Sequence, residues 1–112
     1  MSPALTRALS YAGTHRIGDI ELGVAEGRFQ QWLGADSCII TELLQTPLRK
    51  TLHFFLAEGN LTELQAMVPG ILSWARQQGC THASLVGRKG WLRSFVRDFG
   101  FTESGVLMEA EL

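Results

Sequence analysis

The 112-residue chain carries 10 Lys and Arg against 11 Asp and Glu, for a formal net charge of -1 and a sequence pI near 6.3. That balance excludes the strongly basic footprint of a general nucleic-acid binder, and a hydrophobic fraction of 46% excludes a disordered chain. The length supports one domain with its own core, and no apolar run approaches the roughly 20 residues of a membrane helix.

In chain order, Ser2 and Pro3 make a good helix start, and Leu5, Ala8, Leu9 and Ala12 fall at helical spacing before Gly13. From Ile17 to Leu33 the apolar residues Ile20, Val24, Phe29, Trp32 and Leu33 recur nearer a 3.6 than a 2 period. The spacing predicts a second helix, punctuated by Gly18, Gly23 and Gly27, so residues 1–34 read as two N-terminal helices. Ser37 to Thr46 and Leu52 to Ala57 then read as two strands joined by a hairpin turn at Thr46-Pro47-Leu48-Arg49-Lys50. The second of these is apolar on both alternating faces and is expected to be central.

Asn60 with Glu63 is a capping-box-like start to a third helix, whose buried stripe is Leu64, Val68, Ile71, Leu72 and Ala75 and whose stop is Gly79. Pro69-Gly70 predicts a kink, or two short helices meeting. Ala83 to Val86 is a brief buried strand. Trp91, Leu92, Phe95, Val96 and Phe99 mark a fourth helix ended by Gly100, and Val106, Met108, Ala110 and Leu112 alternate as in a last, half-exposed strand. The predicted order is ααββαβαβ in a single α/β domain, with residues 37–112 forming a ββαβαβ core.

Several side chains carry candidate chemistry. Lys89, Arg93 and Arg97 stand four residues apart along one helix, and Arg88 precedes them, forming a basic ridge suited to phosphate or to an acidic protein surface; the alternative is a solvated helix face. Trp91 beside that ridge fits either a ligand-stacking ring or core, and Trp32 and Trp74 are read the same way. Cys80 and His82, two apart, can share a strand face as a nucleophile and base pair, yet no second pair completes a metal or catalytic set. His53 reads as a satisfied core histidine, and Glu42 as either a cleft base or an exposed strand end. Cys38 and Cys80 have no ligand spacing, which fits a reducing compartment, and the N-terminus is too polar for a signal peptide.

The element order from Ser37 to Leu112, with Gly100-Phe101 after the last helix, resembles the GNAT (N-acetyltransferase) superfamily. The resemblance implies a mixed, mostly antiparallel sheet of about four strands with helices on both faces. It also implies acetyl-CoA bound by a loop of pattern Gln/Arg-x-x-Gly-x-Gly/Ala at the start of the long helix. Here that loop is Glu58-Gly59-Asn60-Leu61-Thr62, with one glycine, no leading Arg or Gln, and acidic Glu58 and Glu63 beside the phosphate position. Lys89 stands where the family's cofactor-binding Asn is expected, and Val96 where its general-acid Tyr is expected. Valine has no proton to give.

A narrower resemblance, in Trp74-Ala75-Arg76, Gly79-Cys80, Val86-Gly87-Arg88-Lys89-Gly90-Trp91 and Gly100-Phe101, is to small GNAT-like proteins of tailed bacteriophages and prophages. It implies a non-catalytic structural or interaction component with no cofactor, located in the bacterial cytoplasm or the virion, whose partners are phage structural proteins or further copies of the chain. The rival expectations are an acetyl-CoA-dependent N-acyltransferase and a nucleic-acid-binding accessory protein.

Overall fold

The computed structural model describes residues 13–87, 93, 95 and 97–112. The expected first helix, Lys89, Trp91 and Val96 therefore lie outside the described residues. Helix α1 spans Ile17–Ala25 and begins where the Asp19 carboxylate accepts the Arg16 backbone N–H at 2.8 Å. It ends because Gly27 takes φ +79° and the Arg28 and Gly27 amides turn back onto Gly23 and Val24. Such a left-handed stop suits glycine, which has no Cβ to clash.

The chain leaves that stop as strand β1, Phe29–Leu33. The single helix expected from Ile17 to Leu33 is thus corrected to a helix and a strand. Phe29, Trp32 and Leu33 mimic a helical stripe, but in the strand Phe29 and Trp32 face opposite sides. Gly23 serves this arrangement, since a Cβ there would fall 2.6 Å from an atom of the Phe29 ring.

Strands β2 (Cys38–Gln45) and β3 (Lys50–Glu58) follow as a hairpin. Their turn closes through the Thr46 amide donating to the Arg49 carbonyl at 2.9 Å, as the sequence predicts. Helix α2 (Leu61–Gln77) returns the chain to strand β4 (His82–Leu85). The sheet has four strands in the order β1-β2-β3-β4, antiparallel except for the parallel β3–β4 pair. Arg93, Phe95 and 97–99 are helical, and Gly100 follows at φ +73°. Residues 101–112 form no strand, contrary to the expected last one, and α2 runs unbroken through Pro69-Gly70 rather than splitting.

Two apolar clusters lie on the two faces of this sheet. Ile20 of α1 packs with Phe29, Cys38, Ile40 and Leu56, whereas Leu64, Val68, Ile71 and Ala75 of α2 pack with Ile39, Leu52, Phe54 and Phe95. Neighbours Ile39 and Ile40 thus serve opposite layers, as strand geometry requires. In β3 the alternation changes phase. The register shifts at Ile40/Thr41, so that Ile40 pairs with Leu56 and Thr41 with Phe54, leaving Phe55 as an extra residue. Leu52 and Phe54 face α2, Phe55 and Leu56 face α1, and Ala57 faces α2 again. This bulge explains why β3 needs apolar residues at successive positions.

Candidate functional site

The N-terminus of α2 is where the GNAT resemblance implies a phosphate-binding loop. Asn60 caps it, its side-chain carbonyl accepting the Glu63 amide at 3.0 Å. The Asn60 amide donates to the Ser37 hydroxyl at 3.0 Å. The Glu63 carboxylate reaches across the β1–β2 turn and accepts the Ala35 amide at 2.8 Å and the Asp36 amide at 3.0 Å. Hydrogen bonds from Ser37 and then Asp36 hold this carboxyl below its ordinary range. Gly59, at φ +134°, lies so close to the turn that a Cβ would sit 2.6 Å from the Asp36 carbonyl oxygen, and one on Gly34 would meet the Glu63 carboxylate at 2.5 Å.

The glycine of the loop therefore serves a close approach between two parts of the chain. Of the amides at this helix end, those of Asn60 and Glu63 are taken by the Ser37 hydroxyl and the Asn60 side chain, while the Glu63 carboxylate is held beside them by the β1–β2 turn. Leu61 and Thr62 are exposed beside them and Glu58 is half-buried.

A second group lies on the α1 face of the sheet, where Glu42, His53 and Ser84 are register neighbours across β2, β3 and β4. His53 Nδ1 and Ser84 Oγ are 2.9 Å apart. Burial lowers the His53 pKa below 6.5, while the Glu42 charge opposes that shift. The imidazole is thus kept neutral beside a hydroxyl, which satisfies the histidine as the sequence suggests and also makes it a proton acceptor. The Ser84 contact carries no local sequence signal, because Ser84 lies 31 positions away. Only the parallel pairing of β3 and β4 creates it.

Of the expected basic ridge, Arg88 and Lys89 lie outside the described residues, while Arg93 and Arg97 are both exposed. Arg97 holds Asp98 with two hydrogen bonds, of 2.9 and 3.2 Å, so its charge is answered locally. Cys80 packs half-buried against the α2-side cluster, whereas His82 is exposed and paired with the Thr81 hydroxyl at 2.8 Å. The structure therefore does not make them a nucleophile and base pair. Trp32 donates to Thr41 Oγ1 at 3.0 Å and meets Trp74 edge-on at 5.4 Å, and both half-buried indoles pack against the α2-side cluster. Among the described residues, no cluster of three or more His, Cys, Asp or Glu can hold a metal ion. Likewise no described helix is long and apolar enough to cross a membrane.

Two clefts flank β4. One, of about 650 Å³, is lined by Arg49, Arg76, His82, Ser84 and Phe99–Thr102 among others. The other, of about 770 Å³, lies between Leu85–Gly87, Phe95, Arg97, Phe101 and Val106–Leu107.

The architecture is that of a small α/β domain with a mixed four-stranded sheet. It is similar to the tetramutant of the BH1408 protein from Bacillus halodurans, with a TM-score of 0.69 at 16% identity over 88% of this chain and 76% of that one. It is also similar to a point mutant of TTHA1254 from Thermus thermophilus, with a TM-score of 0.66 at 12% identity over 88% of this chain and 80% of that one. At such identities the likeness concerns the fold alone. No family model and no curated protein matches the chain.

Proposed function

We propose that the chain is a GNAT-like domain that does not use acetyl-CoA and acts as a structural or protein-interaction component, encoded by a phage or prophage. The observation that carries this reading is the start of α2, where Ser37 and the Asn60 side chain take two of the amides and the Glu63 carboxylate, fixed by the β1–β2 turn, puts a negative charge beside the position a pyrophosphate would need. The absence of Asn at Lys89 and of Tyr at Val96 points the same way. The cytoplasm or the virion is the matching location, and further copies of the chain or phage structural proteins are the partners.

Titration calorimetry with acetyl-CoA tests the cofactor half of this reading. No binding heat is expected, and micromolar affinity overturns it. Mass spectrometry of purified virions tests the other half, and absence of the chain from particles and from phage gene clusters removes it.

A second reading has one specific observation in its favour. β4 matches β3 only over Thr51–Phe54, so β3 from Phe55 to Glu58, just beyond the bulge, has no β4 partner among the described residues. Openings at the carboxyl ends of parallel strands are where α/β domains bind ligands. That favours an acetyl-CoA-dependent N-acyltransferase with Glu42 or His53 as base, and the same titration decides it. A nucleic-acid role would rest on Arg93 and Arg97, and a steeply salt-sensitive shift on DNA would be its signature.

A further inference from the structure

The row of Glu42, His53 and Ser84 satisfies a histidine, yet it holds more than a buried histidine needs. A hydroxyl lies within hydrogen-bond reach of a ring nitrogen on one side, and a carboxylate residue stands across from the ring on the other. Ser84 is half-buried on the last strand of the sheet and lines the cleft of about 650 Å³ beside it, so its hydroxyl is open to a small molecule as well as to His53. The lining of that cleft includes Arg49 and Arg76 and no carboxylate.

We propose that Ser84 is a nucleophile, His53 its general base and Glu42 the residue that steadies the base, and that together they cleave small carboxylic esters or thioesters entering the β4 cleft. In the tautomer with its hydrogen on Nε2, His53 Nδ1 accepts the Ser84 hydroxyl at 2.9 Å. Ser84 Oγ bonds to the substrate's carbonyl carbon as its proton passes to Nδ1, and the alkoxide or thiolate leaves with that proton. Water then attacks the acyl-serine, giving a proton to Nδ1 and a hydroxyl to the acyl group. The acid departs, and the proton returns to Oγ.

Each step passes through a protonated imidazole, which burial opposes and the Glu42 charge favours. The negative oxygen that forms on the substrate arises in a cleft lined by two arginines, with no acid to oppose it. Charges that can bias His53 come from Glu42 of β2, from His82 of β4, and from His15, whose ring meets that of Phe55 edge-on at 4.7 Å. This chemistry uses no acetyl-CoA, so it stands or falls apart from the reading above.

A fluorophosphonate, which traps activated serines, is the probe. The native chain is expected to gain an adduct that peptide mass spectrometry places on Ser84, and Ser84→Ala is expected to abolish it. His53→Gln is expected to slow its formation about 100-fold. No adduct on the native chain, an adduct on another serine, or one on Ser84 that is indifferent to His53→Gln overturns the proposal. Hydrolysis of p-nitrophenyl acetate is expected to follow the same order, and a native rate no higher than that of Ser84→Ala overturns it too.

Because His53→Gln can disturb the sheet, Ser84→Cys supplies a second measure with the base in place. Its thiol is expected to react with iodoacetamide at pH 7 about tenfold faster in the folded chain than in urea. An equal or slower rate overturns the proposal. Glu42 is a positioning residue, and its readout is the pH profile of fluorophosphonate labelling. Labelling rises as His53 loses its proton, and Glu42→Gln is expected to move that rise to lower pH, because the Glu42 charge raises the His53 pKa. An unmoved rise overturns the part given to Glu42.

Discussion

Ser37 is almost wholly buried, and its hydroxyl accepts the amide that starts α2. Ser37→Ala leaves that N–H without its partner and is expected to cost about 1–3 kcal/mol in urea unfolding. Gly59→Ala meets both a disfavoured φ and the Asp36 carbonyl, for about 1–3 kcal/mol of loss by the same measurement. Three groups with lowered pKa values shape the acid limb of stability, the third being Asp98, held down by its hydrogen bond from Arg97. His53 is held below 6.5, so the unfolded chain binds its proton first, and its contribution is complete above pH 6.5 and declines as pH falls. Glu63 is held below 4.5, so its contribution is present above that value and is lost as pH falls through the folded pKa. Urea midpoints measured against pH are therefore expected to be flat above 6.5 and to fall in two stages. His53→Gln removes the upper stage and Glu63→Gln reduces the lower, which Asp98 shares.

At the scale of elements, α2 was legible because its signals are local. Asn60 and Glu63 start it, Leu64, Val68, Ile71 and Ala75 give it one buried face, and Gly79 at φ +88° stops it. The segment from Ile17 to Leu33 was not, because Gly27 reads equally as an interior or a terminal glycine until the strand beyond it finds a partner. Cross-strand pairing with Cys38–Glu42 decides that question, and pairing is invisible to local periodicity. Glycine also weakens α2 at a point that serves no contact. A Cβ on Gly70 meets nothing within 4 Å, and Gly70→Ala is expected to stabilise the domain by about 0.5–1 kcal/mol, read as a shift in urea midpoint.

For the whole molecule, patterning was enough for an α/β domain and the resemblance supplied the mixed sheet, while the arrangement of its candidate sites was legible from neither. The Glu42, His53 and Ser84 row exists only through the register of three strands, and the Glu63 clamp joins positions 28 residues apart. The same limit applies to the last predicted strand. Its alternating pattern is real, but a strand needs an edge, and a pattern alone does not say whether the edge belongs to the same chain or to another. The near-neutral charge and the Arg97–Asp98 pair lead to an expected outcome at this scale as well. Gel-shift titration on DNA should show no steeply salt-dependent binding.

The Glu63 clamp also ties two clocks together. Ala35 and Asp36 sit in an exposed turn, where amides ordinarily trade hydrogen with water almost as fast as in a loose peptide. Here both are held by a side chain from the first turn of α2, so each can exchange only when that grip opens. Their exchange rates then report on the seating of a helix far along the chain, and a hydrogen-exchange profile should show the β1–β2 turn slowing and loosening in step with the start of α2.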